Sequence, residues 1–116
     1  MKKSKAKQKN YSFSGKVWKY KGKGGWHFIT VPKSISKQIR KNHGLDEEGW
    51  GRLKALANIG QAKWETAIWY DSKFNAYLLP LKSLVRRSEK IEEATTIKVV
   101  LAFEDTSIHG WINRKR

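Results

Sequence analysis

The chain has 116 residues, which is the ordinary size of a single domain. Hydrophobic residues make up 39% of it, enough for one core and unlike a collagen-like or low-complexity composition. Cysteine is absent, which excludes disulfides, thiolate zinc sites and a cysteine nucleophile and is compatible with a reducing cytoplasm. Because no apolar run approaches the roughly 20 residues that span a bilayer, we expect a cytoplasmic protein without a membrane partner.

The charge balance is strongly basic. Lys and Arg total 25 against 10 Asp and Glu, for a formal net charge of +15. A basic surface concentrates polyanions, whether nucleic acid or an anionic membrane, and of these we expect DNA or RNA to be the partner. Terminal Lys runs can also serve solubility alone, and that interpretation stays open. The cations occur in a predicted disordered arm at 1–10, in a predicted domain at 11–104 and in a tail at 105–116.

The chain after the arm predicts a β-hairpin. Apolar and polar residues alternate over 11–18, which indicates a strand, with Gly15 at a bend or bulge. The glycine-rich segment 21–25 can only be a turn. A second β-rich run, 26–31, is stopped by Pro32.

Helical spacing follows over 34–42. Ile35 and Ile39 lie on one face of this predicted helix. The opposite, solvent-facing side is cationic and carries Lys33, Lys37, Arg40 and Lys41.

Three more strands and a second helix are predicted next. The strands cover 50–59, 63–70 and 76–79, with a hairpin turn at 58–61. The helix covers 82–91, with these residues expected to face inward: Leu81, Leu84, Val85, Ser88 and Ile91. The last strand, 95–103, has the cleanest alternation, with Ile97, Val99, Leu101 and Phe103 on one face.

The predicted order is therefore β-β-α-β-β-β-α-β, a mainly β fold with two short helices, and it contains an internal echo. Each half runs strand, proline, basic amphipathic helix, acidic pair and strand, with Pro32 and Pro80 lying 48 residues apart. Two such halves can assemble about an approximate twofold axis into one barrel, which removes free sheet edges.

The segments 11–17 and 26–32 resemble the opening of a bacterial and archaeal family catalogued as domain of unknown function 1905. Its middle and late segments resemble 57–60, 64–68 and 77–82. The resemblance covers 11–104 and implies a double-split β-barrel capped by helices. This architecture is similar to that of bacterial transition-state regulators and DNA-binding antitoxins, but shared architecture does not transfer a function.

Six tryptophans are unusual in a chain of this length; they stand at positions 18, 26, 50, 64, 69 and 111. An aromatic ring beside cations can stack a nucleobase, worth ~1–3 kcal/mol per base. A small barrel also uses tryptophan to fill its core. We favour the core for Trp26 and Trp64. Trp18, flanked by Lys16 and Lys19, remains open between core and stacking.

Other motifs argue against catalysis. The 21–25 turn joins two strands and lacks the Ser or Thr of a phosphate-binding Walker loop, so it is a cationic tip rather than a nucleotide site. His27, His43 and His109 are not spaced as metal ligands. The acidic turn at 46–48 is typical of solvated surface. We therefore expect no catalytic residues, no metal and no cofactor.

These observations predict a non-enzymatic binding module whose partner is DNA or RNA, held mainly through phosphates. The predicted contact residues are Lys16, Trp18, Lys19, Lys21, Lys23, Lys33, Lys37, Arg40, Lys41, Arg86 and Arg87. The alternative is a small-molecule or peptide binder that uses an aromatic-lined barrel mouth. Cations on both helices, the turn and both ends of the chain favour the polyanion.

Overall fold

The computed structural model describes residues 9–104, in which six antiparallel strands close into a barrel and two short helices follow the second and fifth strands. The elements are β1 Asn10–Lys19, β2 His27–Thr30, α1 Lys33–His43, β3 Arg52–Ile59, β4 Ala62–Asp71, β5 Ala76–Pro80, α2 Ser83–Ser88 and β6 Thr96–Ala102. The predicted order and the mainly β barrel are confirmed.

Two of the six strands in the barrel, β1 and β4, change pairing partners along their length. Around the barrel the order is β1-β2-β5-β4-β3-β6. β1 pairs with β6 over 10–16 and with β2 over 17–19. β4 pairs with β3 over 62–69 and with β5 over 69–71. Each of these strands therefore bridges two neighbours, which is the split that the family resemblance implies.

The topology contains the predicted twofold relation. Exchanging β1 with β4, β2 with β5 and β3 with β6 leaves the order of neighbours unchanged. Where β2 meets β5, Thr30 pairs with Leu78, 48 residues further along the chain. Pro32 and Pro80 have the same separation, so the sequence echo matches equivalent positions of the two halves.

The barrel interior is filled by the alternate side chains of each strand that point inward. The most deeply buried side chains come from several strands and include Ile29, Ile68, Tyr77, Leu79, Val99 and Leu101. The alternate residues of the same strands point outward, because side chains on a strand change face at every residue. Burial of this apolar surface supplies the main stabilising free energy of the barrel.

Gly15 is required by a close approach rather than by a bulge. The register of β1 with β6 runs without interruption through Gly15 and Lys16, so the predicted bulge is absent. A Cβ atom on Gly15 would overlap the Cγ2 atom of Ile29. Only glycine lets β1 pass this close to β2 at the point where it changes partners.

Two predicted boundaries are wrong. β3 begins at Arg52, because Gly49–Gly51 forms a 3-10 turn in which Trp50 has a φ of 67° and is 87% exposed. α2 ends at Ser88, and Leu84 and Ser88 are exposed although both were expected to face inward. Because α2 has fewer than two turns, only one of its sides faces the barrel, and Val85 lies on that side.

The terminal predictions lie largely outside the described residues. Of the predicted arm, only Lys9 and Asn10 are described, and Asn10 already belongs to β1. The predicted tail, 105–116, falls entirely outside, together with His109 and Trp111. No helix between residues 9 and 104 is long and apolar enough to cross a membrane.

Candidate binding surface

The inner side of α1 is tied to the barrel by polar contacts as well as by Ile39. Ser36 is fully buried, and its Oγ donates to the Val31 carbonyl at 3.2 Å and accepts from the Tyr77 amide at 3.0 Å. At the end of the helix, His43 is buried and its Nε2 lies 3.0 Å from the Tyr11 hydroxyl. These contacts fix the direction of the helix, so its outer face has a defined position.

Arg40, one of the predicted nucleic-acid contacts, makes its contacts within the protein. Its guanidinium lies 3.7 Å from the centre of the Tyr70 ring, and its Nε is 3.4 Å from Glu47. Glu47 also accepts a hydrogen bond from the Tyr77 hydroxyl. Arg40 therefore helps to hold the acidic turn against the barrel, an arrangement that helical periodicity alone could not reveal.

The hydrogen bond between Tyr77 and Glu47 predicts a specific alkaline instability. Burial and the neighbouring carboxylate of Glu47 both raise the pKa of Tyr77 above its ordinary value of 10.0. A group whose pKa is raised by folding gives stability that is complete below its unfolded pKa and is lost as the pH rises above it. The loss approaches about 1.4 kcal/mol per pH unit for one group.

Changing Tyr77 to Phe should remove this contribution. We expect urea unfolding to show a smaller loss of stability between about pH 10 and pH 11 than in the wild type. At neutral pH the variant should be less stable by about 1–3 kcal/mol, because Glu47 loses a buried donor. The control Tyr20→Phe, on an exposed ring, should keep the wild-type slope. Equal alkaline slopes for Tyr77→Phe and wild type would contradict the assignment.

Three aromatic side chains form a row on the outer wall of the barrel. Trp18 and Phe28 lie opposite each other in the β1–β2 register, and both point outward because Val17 and Ile29 face the core. The Trp18 and Phe28 rings are 5.1 Å apart at 33°. The Trp26 ring stacks on Phe28 at 6.2 Å and 14°. We call Trp18, Phe28 and Trp26 the aromatic row.

Two hydrogen bonds position the tryptophans of the aromatic row on the hairpin. Trp18 Nε1 donates to Thr30 Oγ1 at 3.0 Å, which fixes the indole against β2. The Tyr20 amide donates to the Trp26 carbonyl at 2.8 Å and closes the base of the glycine-rich turn. Trp26 is 55% exposed, so the expectation that it belongs to the core is wrong. Trp18 is half-buried on the outer wall, and Trp64 packs against the core as expected.

Predicted cations surround the row unevenly. Lys16 shares the outer face of β1 with Trp18, and Lys33 lies beside Trp18 at the start of α1. Lys19, Lys21 and Lys23 are exposed at the end of β1 and in the turn that leads to Trp26. The structure therefore brings these five lysines to the neighbourhood of the aromatic row.

The remaining predicted cations lie on the two helices. Lys37 and Lys41 are exposed on α1, as predicted. Arg86 is half-buried and its Nε donates to the Leu81 carbonyl at 3.4 Å, while Arg87 is exposed. Neither arginine of α2 contacts the aromatic row in the part of the chain that the structure describes.

Two depressions flank the row on the outer wall. One, of about 440 Å³, lies between Trp18 and Phe74 and also includes Lys33; we call it the Trp18–Phe74 pocket. The other, of about 940 Å³, has Trp26 and Trp69 among its walls; we call it the Trp26–Trp69 groove. The side chains of the core cluster pack in the barrel interior, and both depressions are lined partly by exposed aromatic side chains.

The Trp26–Trp69 groove has a mixed charge. Arg52 lies 5.8 Å from the centre of the Trp69 ring and pairs with Glu48 at 2.6 Å. Lys54 lies 3.8 Å from the same carboxylate. Since Glu48 partly neutralises both cations, this groove attracts a polyanion less than the lysines around the row do. Among residues 9–104, no group of His, Asp and Glu is placed to hold a metal ion.

Sequence analysis missed Phe28, Phe74 and Trp69 as surface aromatics. The position of Phe28 opposite Trp18 depends on the hairpin register, which the length of the intervening turn sets. Phe74 lies in a turn predicted at 71–75, and its approach to Trp18 spans more than 50 residues of sequence. The signal that could have found Phe28 is the alternation of β2, in which Ile29 faces the core and its neighbours face outward.

The family model described as "Domain of unknown function (DUF1905)" matches residues 13–101. The chain belongs to this family. The match runs from within β1 to within β6, so it includes all or most of every strand in the barrel of this DUF1905 protein. A search of curated proteins gives no match. The DUF1905 assignment therefore describes the barrel and leaves its partner to be argued from the surface.

Proposed function

We propose that this DUF1905 protein is a non-enzymatic cytoplasmic module that binds single-stranded DNA or RNA on the outer wall of its barrel. The observation that carries the proposal is the aromatic row, three aromatic side chains on the outer wall whose neighbouring ring centres are 5.1 and 6.2 Å apart. Unpaired bases stack on exposed aromatic rings, whereas bases in a duplex are already stacked on each other. A single strand is therefore a better fit than a duplex.

The charges around the row support the same partner. Lys16, Lys19 and Lys33 are exposed, and none of them forms an ion pair within the described residues, unlike Arg40. Cations on both sides of the stacked bases can contact successive phosphates. Because each contact releases condensed counterions, binding should weaken steeply with salt.

A second candidate function is the binding of a small anionic aromatic molecule in the Trp26–Trp69 groove. Its volume of about 940 Å³ lies within the range of small-molecule sites. Arg52 beside Trp69 provides a cation next to a ring. Such a ligand would need Trp69 and Arg52, whereas the proposed strand needs Trp18 and Lys16.

A charge-reversal experiment tests the proposed function. Changing Lys16 and Lys33 to Glu should weaken binding of an oligothymidylate strand and lower the slope of log affinity against log salt by roughly 1.4, because each lost phosphate contact removes about 0.7. Folding should change little, since exposed substitutions usually stay within about 0.5 kcal/mol. Affinity is measured by fluorescence anisotropy across a salt series.

The matched control changes Lys63 and Lys90 to Glu. Both lysines are exposed, and neither lines the Trp18–Phe74 pocket or the Trp26–Trp69 groove. This control has the same change in net charge, so it should lose only the delocalised part of the attraction. Equal losses in the two variants would show that the surface around the row is not the site.

A further inference from the structure

The Trp18–Phe74 pocket continues the aromatic row beyond its last ring. The Trp18 ring lies against Phe28 and also contributes to the wall of the pocket. Phe74 forms a second wall and is 53% exposed. Val31 and Ala76 are buried and provide an apolar base. The pocket is therefore a space between two aromatic side chains at the end of a row of stacked rings.

The walls of this pocket are held by local contacts. Trp18 is fixed through its hydrogen bond to Thr30. Phe74 lies in a turn in which its amide donates to the Asp71 carbonyl at 3.2 Å and the Lys73 amide donates to the Asp71 carboxylate at 2.9 Å. Because both walls are positioned in the free protein, a planar ligand would not have to build the site as it binds.

We propose that the Trp18–Phe74 pocket receives one unpaired nucleobase of the bound strand, which lies between the two aromatic side chains. This inference rests on the proposed function and adds a place where a single base is enclosed rather than stacked on an open ring. The volume of about 440 Å³ falls in the range of sites for small organic groups. An apolar pocket suits the faces of a base.

Two polar groups at the pocket match the rest of a nucleotide. Lys33 lies at the rim and is exposed, so its ammonium can contact the phosphate next to the enclosed base. Thr30 Oγ1 accepts from Trp18, and a hydroxyl that accepts can still donate its own proton. The base edge that reaches Thr30 should therefore present an acceptor, such as a carbonyl oxygen of thymine or uracil.

The test changes Phe74 and measures binding of an oligothymidylate and of an abasic strand of the same length. Phe74→Ala should bind the oligothymidylate about 5- to 100-fold more weakly, the loss expected for one stacked base. It should bind the abasic strand as the wild type does, because the phosphate contacts remain. Phe74→Trp should keep the affinity, whereas Phe74→Leu, which is apolar but has no ring, should not.

Four other results would overturn the proposal. Wild-type affinity of Phe74→Ala for the oligothymidylate would remove the pocket from the site, and the proposed function would stand if Trp26→Ala still weakened binding. Full affinity of Phe74→Leu would show that no stacking occurs. Thymidine monophosphate that binds the wild type as tightly as the oligomer would identify a free nucleotide as the ligand. No binding of any strand by the wild type would overturn the proposed function together with this inference.

Discussion

Replacing Leu101 by Ala should lower the free energy of unfolding by about 2–5 kcal/mol, the usual result for truncating a buried leucine. Leu101 is 0% exposed and lies in the middle of the barrel wall, where its strand β6 pairs with β1 and with β3. Its backbone partners there are Tyr11 and Ala57, both buried. A cavity at this point is bordered by strands that cannot move independently, so little of it can collapse.

The neighbouring strand offers a matched control, Leu56→Ala. Leu56 pairs with Ala102, next to Leu101 in the register, but points outward and is 36% exposed. The same atoms are removed there without opening a cavity, so the loss should stay well below that of Leu101→Ala. Urea unfolding of both variants gives the comparison. Equal losses would mean that the inward and outward faces are assigned wrongly, since a shift of one residue exchanges them.

Strand positions were predictable because they depend on local alternation. In the predicted last strand, residues 97, 99, 101 and 103 alternate with more exposed neighbours; the structure buries Val99, Leu101 and Phe103, and Ile97 is half-buried. Pro32 and Pro80 marked the ends of β2 and β5 because proline does not continue a ladder of backbone hydrogen bonds. The echo between the halves was visible for the same reason, and it gave the barrel its expected twofold relation.

Contacts between distant segments were not predictable from the sequence. Arg40 has helical spacing with Lys37 and Lys41, so periodicity treats it as another solvated cation. In the structure it stacks on Tyr70 and pairs with Glu47. Which cation of a helix meets an acidic turn depends on how the helix packs on the barrel. A single sequence does not contain that information.

The positions of the tryptophans were also only partly predictable from the sequence. A tryptophan in a small β protein is most often buried, which made the core the better expectation for Trp26. The glycine-rich turn brings Trp26 back to the outer wall, where Phe28 provides a partner ring. Trp64 points inward from β4, opposite the buried Ala57. The difference between these tryptophans comes from the register, which composition does not determine.

Removing two rings of the aromatic row should have the largest effect on binding. The double variant Trp18→Ala, Trp26→Ala loses two stacking surfaces, each worth ~1–3 kcal/mol with a base. We therefore expect affinity for an oligothymidylate to fall about 30-fold or more at fixed salt. The slope of log affinity against log salt should remain close to wild type, because the lysines that contact phosphate are unchanged. This pattern is the reverse of the one expected for Lys16→Glu, Lys33→Glu, and together the two variants separate stacking from charge.

Controls in the same chain make the outcome decisive. Trp50 is almost fully exposed in the 3-10 turn before β3 and lines neither the pocket nor the groove, so Trp50→Ala should bind the oligothymidylate as the wild type does. Trp69→Ala alters the groove but not the aromatic row, whereas Trp26 borders both. The single variants Trp18→Ala and Trp69→Ala therefore distinguish a strand bound on the row from a ligand bound in the groove. Thermal unfolding of each variant shows that the barrel remains folded at the temperature of the titration. If Trp69→Ala lost the affinity and Trp18→Ala kept it, the groove would be the site, because stacking weakens only where a ring that touches the bases is removed.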